Sequence, residues 1–251
     1  NDNRGTQYGY QLTFFRYGLA LQPKQPSNVW SIRDIYLAHF AITDVSRSAF
    51  HYAERVSRSG PVLAGANRTR MEVRVLSWSA VMEGNRINLR AAHGGMELAL
   101  HLTPAKPIVF HGNRGLSKKG PGPGQASHYY SFTDLKAEGS LKTPDMTAPV
   151  AVRGTSWFDQ EFGSNQMAQE YAGWDWFALH LSDGRDLMVY YLRRKDGAME
   201  RESSGTLVER DGTSRHLSLV EIETTVLSYW KSNKSAGRYP AAWCIKIPGA
   251  A

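Results

Sequence analysis

The chain of 251 residues contains one cysteine, Cys244, so no disulfide can form within it. Cys244 lies in Ala242-Trp243-Cys244-Ile245, an extended apolar pattern with nothing nearby to activate a thiol, and is read as buried and unreactive. No apolar run is long enough to span a bilayer as a helix. No signal segment is recognisable, and the opening Asn1-Asp2-Asn3 sets the expectation that an N-terminal segment was removed or left out. Convincing helical periodicity is scarce.

Missing motifs narrow the chemistry. There is no His-Glu-x-x-His site, no paired-cysteine metal site, no dinucleotide fingerprint and no Gly-x-Ser-x-Gly elbow. The histidines (39, 51, 93, 101, 111, 128, 180 and 216) are scattered, and none pairs at helical ligand spacing. No metal and no cofactor are expected. The formal charge is +7, but basic residues are interleaved with acids and form no dense run, so nucleic acid is not expected as a partner.

What is abundant points to strands. The chain holds 12 Tyr, 9 Phe and 7 Trp, residues suited to sheets and apolar cavities. Strands are expected at 8–16, 35–45, 71–78, 86–92, 96–103, within 127–142, and at 150–162, with hairpin turns at Glu83-Gly84-Asn85 and His93-Gly94-Gly95. A second set covers 174–181, 186–193, 205–209, 214–219 and 241–247, turning at Asp183-Gly184 and Asp211-Gly212. Many short strands at regular spacing predict a sandwich or barrel. A short helical linker is expected at 163–170. The second set has too few strands to close a barrel alone and must pack on the first, unless the chain is truncated. The segment 112–127, dense in glycine and proline, is expected to lack regular structure and to be a mobile surface loop; its Lys118 and Lys119 offer an alternative use in holding an anion.

Two clusters carry candidate chemistry. In Arg153-Gly154-Thr155-Ser156-Trp157-Phe158-Asp159-Gln160-Glu161-Phe162, a strand would place Trp157, Asp159 and Glu161 on one face and Phe158, Gln160 and Phe162 on the other. Carboxylates among bulky apolar groups are costly unless paired, protonated or used. Asp159 and Glu161 are therefore the site candidates; the alternative has them solvated or paired with arginines at a barrel mouth. In Gly173-Trp174-Asp175-Trp176-Phe177, Trp174 and Trp176 share a face. They either line an apolar pocket or pack one strand set on the other, with Asp175 bonded to backbone. His39, in a strand beside aromatics, is read as a hydrogen-bonded core or pore histidine.

Further segments carry a resemblance. Tyr-Gly-Tyr-Gln-Leu-Thr-Phe-Phe-Arg (8–16), Ala-His-Phe-Ala-Ile-Thr-Asp (38–44), Phe-His-Tyr-Ala-Glu-Arg-Val-Ser-Arg (50–58), Gly-Leu-Ser-Lys-Lys-Gly-Pro (115–121), Tyr-Tyr-Ser-Phe-Thr (129–133), Ser-Trp-Phe-Asp-Gln-Glu-Phe (156–162), Gly-Trp-Asp-Trp-Phe-Ala-Leu (173–179) and Ser-Ser-Gly-Thr-Leu (203–207) occur in order along nearly the whole chain. With them the chain resembles the AttH-like, carotenoid 1,2-hydratase-like family, whose members are often described as predicted secreted hydrolases. The resemblance implies an all-β fold of two tandem lipocalin-like antiparallel barrels, at 1–165 and 166–251, the second incomplete. It also implies a periplasmic, secreted or envelope-associated location.

In the family's hydratase branch an acid protonates a terminal alkene of an isoprenoid chain and water captures the cation. Such an acid needs a raised pKa, and aromatic faces favour the cation. By resemblance Asp159 takes the acid position. Tyr130 and Phe132 stand where that branch carries His and Trp, so the chain is closer to the AttH-like branch. The first reading is an apolar-ligand-binding protein with Asp159 as acid and Glu161 as base or water-holder. Trp157, Trp174 and Trp176 would be its pocket walls, with His39 and Tyr130 as polar contacts. The second is a non-catalytic carrier in which Asp159 and Glu161 pair with arginines such as Arg153. A third uses the basic surface and the lysine loop to hold anionic lipid or glycan.

Overall fold

A computed structural model of the protein describes residues 1–19, 32–163 and 170–249. Its elements are eighteen strands and a 3-10 turn at Leu219–Glu221; no α-helix occurs among the described residues. The strands neighbouring one another along each sheet are paired antiparallel among the described residues. The chain divides into two compact units: Asn1–Ala105 with Leu135–Ser156, and Lys106–Asp134 with Trp157–Ala251.

In the first unit, β1 (Tyr8–Gly18), β2 (Asp34–Asp44) and β3 (Ala49–Arg58) form one sheet. β4 (Ala64–Ala66), β5 (Glu72–Val75), β6 (Trp78–Glu83), β7 (Arg86–His93) and β8 (Met96–Pro104) form a meander. Alternation decides the faces. Tyr36, Ala38, Phe40 and Ile42 of β2 are buried, as are Ile87, Leu89 and Ala91 of β7 and Leu98, Leu100 and Leu102 of β8. Each large apolar side chain fully buried contributes about 1.5–3 kcal/mol. Trp78, wholly buried, packs edge-on to Phe40 and donates its indole N–H to the Ala92 carbonyl at 2.9 Å.

The second unit holds β9 (Val109–Phe110) and β10 (Leu116–Lys118). It takes the early part of β11 (Ala126–Lys142) and the end of β12 (Val150–Phe162). β13 (Tyr171–His180), β14 (Asp186–Arg194), β15 (Ser204–Val208) and β16 (Ser214–Ser218) form its sheet in that order, and β17 (Glu223–Lys231) pairs with β18 (Arg238–Lys246). β14 is buried on both faces. Leu187, Val189 and Tyr191 join Leu207, Leu217 and Ile222 on one side. Met188, Tyr190 and Leu192 join Tyr129 and Tyr171 on the other. The turn between β13 and β14 uses Gly184 at φ +83°, the left-handed conformation that Asp-Gly hairpins favour.

The second strand set thus gains strands from residues 106–134, and the compact units interleave in sequence rather than meeting at 165/166. The physical reason is the 17-residue length of β11. Leu135–Lys142 pair with β8, whereas Ala126–Ser131 pair with β10 and β9. Gly139 permits the first of these pairings, because a Cβ there would lie 2.1 Å from the Ala99 carbonyl oxygen. Three other expectations are corrected. The strand expected at 71–78 breaks at Leu76, whose φ is +55°. Part of 112–127 is regular, since Leu116–Lys118 pair with Ala126–His128. Cys244 is partly exposed rather than buried. β3, β4, β9, β17 and all of β6 beyond Trp78 have no counterpart among the strands expected from alternation. The helical linker expected at 163–170 lies largely outside the described residues.

Candidate active site

The site begins with a row of hydroxyls. Ser127, Tyr129, Ser131 and Thr133 recur at every second position of β11, so all four point to one face, and all four are buried. Buried hydroxyls require partners. These find three carboxylates: Ser127 bonds Glu161, Tyr129 and Ser131 bond Asp159, and Thr133 bonds Asp186.

Asp159 receives neutral donors only. Its Oδ1 accepts from Ser131 Oγ at 2.5 Å, Tyr129 OH at 2.9 Å and Trp157 Nε1 at 3.0 Å. Tyr129 OH in turn accepts from Trp176 Nε1 at 3.1 Å. Among the described residues no donor bonds Oδ2 and no cation pairs with the carboxyl. Asp159 stays open to solvent although protein surrounds it on most sides. That environment raises its pKa: desolvation pushes it up and outweighs the three hydrogen bonds, and the charge of Glu161 adds to the rise. Burial likewise lifts the Tyr129 phenol well above its ordinary value, with Asp159 adding to the effect.

Behind Ser131 stands His111, fully buried. Its Nε2 lies 2.7 Å from Ser131 Oγ and its Nδ1 2.9 Å from Thr206 Oγ1. Burial drives the imidazole pKa down to about 3, helped by the charge of Lys119, so His111 is neutral at physiological pH.

Glu161 has a different setting. Lys119 Nζ lies 2.8 Å from its Oε1, and Ser127 Oγ donates to the same oxygen at 2.5 Å. Lys119, only 8% exposed at its side chain, also sits 3.9 Å above the Tyr190 ring. Its charge is therefore taken up internally and is not offered to an outside anion. Asp186 is the third carboxylate and the most fully paired. Its Oδ2 accepts from Lys106 Nζ at 2.8 Å and Thr133 Oγ1 at 2.9 Å, and its Oδ1 from His180 Nδ1 at 2.8 Å. Burial alone would raise its pKa, but His180, Lys106 and Thr133 together bring it below the usual value.

The expected face of β12 is found as drawn: Trp157 and Asp159 bond each other, and Phe158 turns the other way to Tyr130 and Phe132. Trp176 joins the network, and Trp174 shares its strand face and is 60% exposed. Asp175 points opposite and pairs with Arg193 at 3.2 Å rather than with backbone. Tyr130, expected as a polar ligand contact, lies on the far face of β11 with Phe110 and Phe158; the tyrosine that bonds Asp159 is Tyr129. His39 belongs to the first unit, where it packs against Phe15 and Tyr52 beside Glu54. The arginine partners expected for the carboxylates in the carrier reading are absent among the described residues: Glu161 has Lys119, and Asp159 has no cation. The sequence does not single out His111, Ser131 or Tyr129, and it offers Lys119 only as an anion holder, not as the partner of Glu161. The alternation of hydroxyls from Ser127 to Thr133 was the available signal for two of them. Among the described residues no three His, Cys, Asp or Glu side chains gather to hold a metal ion.

The sequence model of the AttH-like family matches residues 1–251. In structure the chain is similar to a protein from Nitrosomonas europaea assigned as an AttH, at 28% identity and a TM-score of 0.87, over 99% of this chain and 74% of that one. It is also similar to kievitone hydratase from Nectria haematococca, at 17% identity and a TM-score of 0.75, over 99% of this chain and 70% of that one. The second likeness speaks for the fold alone. No curated protein sequence matches the chain. The all-β, antiparallel, lipocalin-like architecture expected from the sequence holds.

Proposed function

This chain belongs to the AttH-like family, and we propose that it is a hydratase-type enzyme in which Asp159 is the general acid toward an apolar, unsaturated ligand. The observation that carries this reading is the asymmetry of the Asp159 carboxyl. Oδ1 is saturated by three neutral donors, Oδ2 takes none, and desolvation holds the pKa up. A proton on Oδ2 would then face the open side. Transfer of that proton to an alkene carbon leaves a carbocation and a carboxylate. Water adds to the cation and returns its proton to Asp159, so the sum is addition of one water. The indole faces of Trp157, Trp174 and Trp176 suit both an apolar ligand and a passing positive charge. Glu161, already paired with Lys119, acts through its charge, which favours the protonated form of Asp159. A fold neighbour that is a hydratase supports the reaction class by analogy only.

The test is native mass spectrometry of protein from its source, identification of any copurified apolar molecule, and incubation of that molecule with the protein in heavy-oxygen water. The reading expects a product heavier by one labelled water. It also expects a loss of about 100-fold or more in Asp159→Asn, the usual scale of a general acid. Equal turnover in Asp159→Asn, or a bound ligand that is never altered, overturns it; the latter leaves a carrier. The same reading puts the protein in the envelope or outside the cell, and a purely cytoplasmic fraction would refute that part.

A further inference from the structure

We propose that His111 is a positioning residue that sets the direction of the hydrogen bonds reaching Asp159, and so places the carboxylic proton on Oδ2. The inference rests on Asp159 being the acid. Thr206, His111, Ser131 and Asp159 form an unbroken chain of short contacts. A chain of this kind has two consistent directions. In one, Thr206 donates to Nδ1, His111 Nε2–H donates to Ser131, and Ser131 donates to Oδ1. In the other every bond reverses, Nδ1 carries the proton, and Asp159 Oδ1 must be the donor to Ser131.

The groups around Asp159 select the first direction. Trp157 Nε1 is a donor only and points at Oδ1. Tyr129 accepts the Trp176 indole N–H, which leaves its own proton for Oδ1. Two donors aimed at one oxygen leave no room for a proton on it. Ser131 must therefore donate, His111 must be protonated at Nε2, and the acid proton is confined to Oδ2. His111 stays neutral because it is buried and feels the positive charge of Lys119. A charged imidazole would still donate Nε2–H to Ser131 but would reverse the Thr206 bond, so the neutral ring is what lets Thr206 donate to Nδ1. The same bonds reinforce one another, since a hydroxyl that accepts a bond donates more strongly.

The experiment needs no substrate. Long-range proton–nitrogen NMR on histidine-labelled protein reads the tautomer of His111 directly. The expected result is a neutral ring protonated at Nε2 that does not titrate across the range where ordinary histidines do. A ring protonated at Nδ1, or one that titrates like an exposed histidine, overturns the proposal. Carboxyl-carbon NMR on variants gives a second test. In His111→Phe the Asp159 titration should move further up, and His111→Gln, which can still donate to Ser131, should bring it back toward the parent. A merely space-filling role predicts the reverse order, because Phe fills the site and Gln adds a polar group. Identical Asp159 titrations in the parent and His111→Phe would also overturn the proposal. These readings stay informative if no hydration is ever found: the hydrogen-bond direction then stands while the enzymatic reading falls.

Discussion

Asp159 and Asp186 are carboxylates of one compact unit, each bonded by a hydroxyl from the same face of β11, and their surroundings push them in opposite directions. Asp186 is nearly closed to solvent and pairs with Lys106 and His180. Asp159 has only neutral donors, all on one oxygen, and an open second oxygen. Opposite charge makes the first a permanent anion that ties strands together. Desolvation without a counter-charge raises the pKa of the second, which is what the proposed acid role requires. What faces each carboxyl therefore separates an ion-paired aspartate from one held only by neutral donors.

The largest effect is expected where the pair is broken. Asp186→Asn leaves Lys106 buried without its partner and should cost about 3–5 kcal/mol in a denaturant titration. A loss below about 1 kcal/mol would make Asp186 no more structural than Asp159. Asp159→Asn should lose turnover, as stated above, yet unfold within about 1 kcal/mol of the parent at neutral pH, because the amide keeps an oxygen for the three donors. Comparable destabilisation in both variants would erase the contrast.

The pH dependence sharpens it. The stability from Asp186, whose pKa is lowered, is fully present above the ordinary aspartate pKa and is lost as pH falls through its folded value. That from His180, whose pKa is raised chiefly by its bond to Asp186, is fully present below the ordinary histidine pKa and is lost as pH rises through its folded value. Asp159 has the opposite sign to Asp186: its raised pKa means that ionisation costs stability as pH rises through the carboxylate range. Urea midpoints measured against pH should show Asp159→Asn gaining on the parent with rising pH and Asp186→Asn losing. A His180→Asn variant should flatten the alkaline limb. The smallest effect belongs to Trp174→Ala at an exposed site, within about 0.5 kcal/mol of the parent. A larger loss would mean that Trp174 packs rather than lines a binding surface.

Much of this site was legible as period-two alternation. It put Trp157, Asp159 and Glu161 on one face, and Trp174 and Trp176 on another strand's face, because a pleat leaves no choice. Phase was the weak point on β11. Tyr130 was chosen by resemblance, but the buried hydroxyls are one residue out of step with it, at Tyr129 and Ser131. His111 and Lys119 lie in a glycine-rich stretch whose path no local pattern fixes, and their partners come from strands far along the chain. Asp186 looked like a hairpin flank, since nothing local announces that Lys106 will reach it. β17 (Glu-Thr-Thr-Val-Leu-Ser-Tyr-Trp-Lys) is largely exposed, so no alternating buried face marked it as a strand.

The most direct test of the central claim is a carboxyl-carbon NMR titration of Asp159 and Asp186 in the same folded protein, assigned with Asp159→Asn and Asp186→Asn. The account predicts that Asp159 titrates above the ordinary aspartate value and Asp186 below it. Both groups titrating below that value would contradict it, for Asp159 would then be an anion at working pH with no proton to give.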